Sequence, residues 1–158
     1  QLSAKLSDAV LTRLKAPNAL RKAVVHLIRH HMFNYTPEWS DAAVRRFIHR
    51  IGVGYYADLI TLRIADISGS VLGGQLIDTN LIELMGRVKA ILAAGEVLSI
   101  RDLQVNGNDL LQLGIPKGPA IGSLLQLLLE AVLDDQSLNR REILLPMART
   151  MYHSYHMD

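Results

Sequence analysis

The chain has 158 residues, 49% of them hydrophobic and 20% charged, no cysteine, and a formal net charge of +2. That length suits one domain or two small helical lobes, and the composition excludes a disordered chain, a disulfide framework and any thiolate metal site. The small net charge covers an asymmetry: residues 1–63 hold ten Lys/Arg against four Asp/Glu, whereas residues 64–158 hold seven against eleven, so a basic first part is suited to a polyanion.

The sequence opens at Gln1 rather than Met, inside a helical pattern, as expected of a piece of a longer polypeptide. Val10, Leu11 and Leu14 predict a short first helix that stops before Pro17. Asn18 is the expected N-cap of a second helix running to about His31, with Leu20, Val24, Leu27 and Ile28 as its core stripe. Residues 34–38, with Pro37, read as a connection. Ser40 then caps a helix that points Ala43, Phe47, Ile48 and Ile51 inward and Arg45, Arg46 and Arg50 outward, and Gly52 and Gly54 end it. Another helix is expected over 55–67, followed by a glycine-rich stretch at 69–74.

Asn80 opens a long amphipathic helix that stops at Ala94-Gly95. Asn106-Gly107 is a turn signal, with Asn108 or Asp109 as the cap of a short helix through Leu113. Pro119 sits at the first turn of a strongly apolar helix over 120–133. Its most apolar run is too short to cross a bilayer and contains Gln126 and Glu130, so no membrane segment is expected. Asn139 is the expected cap of a closing helix that Pro146 should kink or interrupt. Strands are supported nowhere. The expected class is all-α, a multi-helix bundle in two small helical lobes, with residues 1–68 as one lobe, 69–79 as linker and 80–158 as the other.

Three stretches together carry a family resemblance. The first is Val25-His26-Leu27-Ile28-Arg29-His30-His31-Met32-Phe33-Asn34-Tyr35. The second is Trp39-Ser40-Asp41-Ala42-Ala43-Val44-Arg45-Arg46-Phe47-Ile48, followed by Leu62-Arg63-Ile64-Ala65-Asp66. The third and most specific joins the Val105-Asn106-Gly107 turn to Gly118-Pro119-Ala120-Ile121-Gly122 at the start of the apolar helix. In this order they resemble the carboxy-terminal part of bacterial CCA-adding tRNA nucleotidyltransferases and related poly(A) polymerase-like proteins that carry an HD-type module. The resemblance implies a cytoplasmic tRNA-processing enzyme whose catalytic head transfers CMP or AMP to the tRNA 3′ end with Mg2+ on paired carboxylates, that head preceding Gln1. Gly69-Ser70 followed by Asp78 imitates the head's signature. However, position 80 is Asn and no strand pattern surrounds the pair, so no catalytic residue is assigned in this chain.

Arg45, Arg46 and Arg50 are the expected phosphate contacts, since Arg46 and Arg50 share a helix face; Lys22 and Arg29 can extend the patch. Lys117 and Gly118, ahead of the free N–H groups of the helix that begins at Pro119, form a second expected RNA contact, with close helix packing at Gly118 and Gly122 as the competing role. By resemblance to HD-type phosphohydrolases, His30, His31 and Asp66 are candidate metal ligands that need further ligands upstream. Trp39 is expected to pack. The expected function is tRNA holding for an amino-terminal head, with a homodimer possible, no membrane partner, and no cofactor held by this segment itself. The alternatives are part of a metal-dependent phosphohydrolase, or a helical oligomerisation scaffold built on the leucine-rich helix at 120–133.

Overall fold

The computed structural model describes residues 2–70 and 78–155. These form eight α-helices and two 3-10 turns, with no strand among them: α1 (Leu2–Arg13), α2 (Asn18–His30), α3 (Asp41–Ile51), α4 (Val53–Ser70), α5 (Thr79–Ala93), α6 (Gly107–Gln112), α7 (Pro119–Asp134) and α8 (Arg141–Tyr155), with turns at Ile100–Asp102 and Gln136–Leu138. The class is all-α, as expected. By packing, the chain divides into two units, Gln1–Glu38 with Arg50–Met85, and Trp39–His49 with Gly86–Asp158. Of the expected linker at 69–79, residues 71–77 lie outside the described residues, and Gly69 and Ser70 close α4 rather than opening a loop.

In the first unit α1 packs on α2, as does α4. Only Ala4 of α1 is buried. Leu2, Leu6, Val10 and Leu14 recur every four residues along another side of the helix and stay exposed. The chain leaves α1 through a turn in which Ala16 N–H donates to Leu11 O and Lys15 N–H to Thr12 O, each at 3.0 Å. Lys15 takes φ +54° there, a position that glycine usually fills. Pro17, which has no side-chain donor or acceptor, is the N-cap of α2, and Asn18 is its first helical residue rather than its cap. The Asp78 carboxylate caps α5 by accepting from the N–H groups of Asn80 (3.1 Å) and Leu81 (3.2 Å), so Asn80 lies inside the helix that it was expected to open. Tyr35, buried, donates its hydroxyl to Glu83 at 2.7 Å.

Ser40 accepts from Ala43 N–H at 3.2 Å and starts α3 as expected. The buried apolar positions of α3 are Val44, Phe47, Ile48 and Ile51. With Val44 in place of Ala43 on the inward stripe, the neighbouring Arg45 turns inward with it.

The second unit is built on α7, whose Leu124, Leu125, Leu128, Leu129, Val132 and Leu133 are all buried. Full burial of each such side chain stabilises by about 1.5–3 kcal/mol, which makes α7 the spine on which α6 and α8 pack. Asn106, not Asn108 or Asp109, is the N-cap of α6: its side chain accepts from Asn108 N–H (2.9 Å) while the Asp109 carboxylate accepts from Asn106 N–H (2.8 Å). A Cβ at Gly107 would stand 3.3 Å from Ile121 Cγ2, so this glycine lets α6 lie close against α7. Asp109 also binds Arg141 at 2.7 Å, tying α8 to α6; Arg141 first, then Asn106 N–H, hold its carboxyl below the usual carboxylate range. Asn139 does not cap α8. Its side chain instead accepts from Gln104 N–H (2.9 Å) and donates to Asp102 O (3.1 Å), while Arg140 O accepts from Ile143 N–H (3.0 Å) and Leu144 N–H (2.8 Å) of α8. Pro146 lies inside α8, which continues unbroken past it.

Candidate nucleic-acid interface

The sequence of α2 contains Arg21, Lys22, His26, Arg29 and His30 and no Asp or Glu. Lys22, His26, Arg29 and His30 are spaced four, three and one residues apart, which places them on one side of the helix. Lys22 and Arg29 are exposed; His26 and His30 are half-buried. Arg21 points elsewhere, to Asp8 at 3.2 Å and to the Thr12 hydroxyl at 2.7 Å. The end of α3 meets this side of α2: His26 Nε2 donates to Ile51 O at 2.8 Å, and the His26 ring lies 4.7 Å from those of His30 and Tyr55. Arg50, one residue before Ile51, is exposed. Among the described residues no carboxylate lies within ion-pair distance of Lys22, Arg29 or Arg50.

The three arginines expected to act together are separated in role. Arg45 is only 8% exposed and spends three donors inside the second unit, on Glu96 (2.8 Å), Leu133 O (2.7 Å) and Asp134 O (3.1 Å). It therefore satisfies two of the orphan carbonyls at the end of α7 and is turned away from solvent. Arg46 is half-exposed but already bridges Asp134 (2.5 Å) and Glu130 (3.4 Å), and the Asp134 hydrogen bond leads in raising its pKa. The partners are not the Asp41 and Glu38 neighbours in sequence, because a helix-to-helix pairing across more than eighty residues decides them. Asp41 pairs with Arg87 instead, at 2.6 Å. Of the three arginines, only Arg50 presents an unpaired guanidinium among the described residues.

Lys117 and Gly118 are exposed ahead of α7, whose N-cap is Gly118 with no side-chain cap bond. Among the described residues a Cβ at Gly118 or Gly122 would meet nothing within 4 Å, so no helix among them crosses closely at this glycine pair. Gly122 instead floors an open groove of about 690 Å³ with Ala120, Ser123, Gln126, Leu127 and Tyr152. Trp39 packs edge-on against Phe47, ring centroids 5.8 Å apart, as expected.

The candidate metal trio does not converge. His31 turns its Nδ1 to Ile28 O of its own helix at 2.8 Å, His30 stacks towards His26, and Asp66 pairs with Arg63 at 3.1 Å. Adjacent histidines on a helix diverge by about 100°, which keeps His30 and His31 apart. Among the described residues no three His, Asp or Glu side chains are placed to hold one metal ion.

His26 and the shared side of Lys22, Arg29 and His30 were not assembled from the sequence, although their spacing and the lack of any acid in α2 were there to read. Only the fold shows that Arg45 and Arg46 leave the basic set. The first unit then holds eight Lys/Arg against six Asp/Glu and the second nine against nine, a milder contrast than order along the chain suggests.

Residues 1–148 match the model of the family described as tRNA nucleotidyltransferase domain 2, putative. The A-adding tRNA nucleotidyltransferase of Deinococcus radiodurans is 31% identical over 139 residues, which is 83% of this chain and 30% of that relative. The chain therefore spans about a third of the length of that relative. No solved structure matches. A helical chain covered almost end to end by this family's model, with its Asn106-Gly107 turn and Gly118-Pro119 helix start in place, belongs to the tRNA nucleotidyltransferase family.

Proposed function

We propose that this chain is the RNA-holding part of a tRNA nucleotidyltransferase, gripping the tRNA backbone while nucleotide transfer takes place on a catalytic head elsewhere in the parent polypeptide. The observation that carries this reading is α2, a helix with five basic groups and no acid, which shows Lys22 and Arg29 to solvent beside Arg50. Phosphate contacts of this kind fix register and orientation without reading bases, as positioning of a folded tRNA requires. The expectation that Arg45 and Arg46 also touch RNA gives way, because their donors are committed to Glu96, Glu130 and Asp134.

Transfer to the 3′ end needs two magnesium ions on closely paired carboxylates. Gly69 and Ser70 end a helix instead of lying on a strand, and the Asp78 carboxylate is used as the cap of α5, so the described residues do not fit that pair of ions. Magnesium accordingly belongs to the head in this reading. The scaffold alternative keeps little of its proposed surface, since Leu124, Leu125, Leu128, Leu129 and Leu133 of α7 are buried within their own unit and Leu127 is left on the open groove.

The test is a fluorescence titration of tRNA with this chain across salt. Three or four phosphate contacts give a slope of log K against log salt of about −2 to −4, with binding measurable at low salt. A chain that fails to bind tRNA at low ionic strength would contradict the reading.

A further inference from the structure

We propose that His30, set among His26, Arg29 and Arg50, is the seat for one phosphodiester group of the bound RNA; the proposal rests on the RNA-holding reading above. His26 is the fixed part of the seat. Its Nε2 hydrogen goes to Ile51 O at 2.8 Å and its ring lies against Tyr55, which brings the ends of α2 and α3 together and holds the His30 ring 4.7 Å away. The His30 ring makes no hydrogen bond among the described residues, and neither of its nitrogens is a fully buried atom, so both face a ligand uncommitted.

The charges around this ring are of one sign. Partial burial first, then His26, Arg50 and Arg29, hold His30 towards its neutral form. From α4 the facing group is Tyr55, which reaches His26. The acids of α4 are Asp58, which is exposed, and Asp66, which pairs with Arg63 at 3.1 Å, and neither is among the charges acting on His30. From α1, which also packs on α2, the acid is Asp8, and Arg21 occupies it at 3.2 Å. Helix C-terminal carbonyls favour Arg29 and Arg50 one at a time. They do not account for an imidazole lodged among three basic groups with no acid beside it. A phosphate oxygen supplies the missing charge, accepting from the protonated imidazole and from the Arg50 guanidinium in charge-assisted hydrogen bonds.

Proton uptake and RNA binding are then linked. The imidazole has a lowered pKa when free and gains an anionic partner in the complex, so the complex holds the proton to higher pH. Affinity therefore rises as pH falls through the interval between those two values, and it is flat well above them.

The experiment is an anisotropy titration of labelled tRNA with the full 158-residue chain at constant ionic strength. Binding is expected to be roughly 3–10-fold tighter at about pH 5.5 than at about pH 8. His30→Gln should remove that gain, so that its affinity no longer differs between the two pH values, and Arg50→Gln should weaken binding at both pH values and flatten the salt slope by about one contact. An NMR titration of the His30 ring in the unaltered chain gives a readout independent of any variant, with an upward shift of its pKa on adding tRNA. A pH gain that survives in His30→Gln, or a ring that titrates identically with and without tRNA, overturns the seat. Salt-dependent binding with no pH response overturns the seat alone, whereas no binding at either pH overturns the RNA-holding reading with it.

Discussion

Arg45 shows how one side chain can change role between sequence and fold. It sits in a basic run, Arg45-Arg46, that looks like a phosphate contact, yet its guanidinium closes the end of α7 and meets Glu96. Removing it leaves two helix-end carbonyls and a partly buried carboxylate without donors. Arg45→Ala is expected to destabilise the chain by on the order of 2–4 kcal/mol, discounted for the partial exposure of Glu96, as a fall in the urea midpoint with little change in slope. A surface arginine would cost less than about 0.5 kcal/mol, so a variant of wild-type stability would return Arg45 to the phosphate set. The sequence could not reveal this, because the partners of Arg45 and Arg46 lie 51 to 89 residues away. Arg50, which needs no distant partner, keeps the outward position expected of it and stays exposed.

At the scale of elements, the helices follow from apolar spacing and glycine stops, and the errors cluster at their first residues. Asp78, Asn106 and Arg140 begin helices expected to start at neighbouring polar positions. A run with several capable caps, such as 106–109, does not say which side chain will bend back; tertiary ties decide, as when Asn139 is spent on Gln104 and Asp102. The end of α1 offers a direct check. Lys15 occupies a left-handed backbone position at φ +54°, which costs a side-chain-bearing residue free energy that glycine avoids. Lys15→Gly is expected to stabilise by about 0.5–1 kcal/mol, read as a higher melting temperature, provided the relief of strain exceeds glycine's greater freedom when unfolded. A lower melting temperature would show that the turn is not under strain.

For the whole molecule, the all-α class and the family were legible because they rest on patterns repeated along the chain, the 3.6-residue period and the Asn106-Gly107 and Gly118-Pro119 motifs. The candidate interface was only half legible. Its cations could be counted, but which of them remain free depends on packing within each unit, and that packing moves Arg45 and Arg46 to the unit whose acids consume them. The central claim is that the basic side of α2, and not the α3 arginine pair, holds RNA. Its most direct test compares the tRNA affinity of Lys22→Glu/Arg29→Glu with that of Arg46→Gln at one low salt concentration, after circular dichroism confirms that both are folded. The double variant is expected to bind at least about tenfold more weakly and Arg46→Gln within about twofold of the unaltered chain. Unchanged affinity in the double variant, with a large loss in Arg46→Gln, would contradict the account.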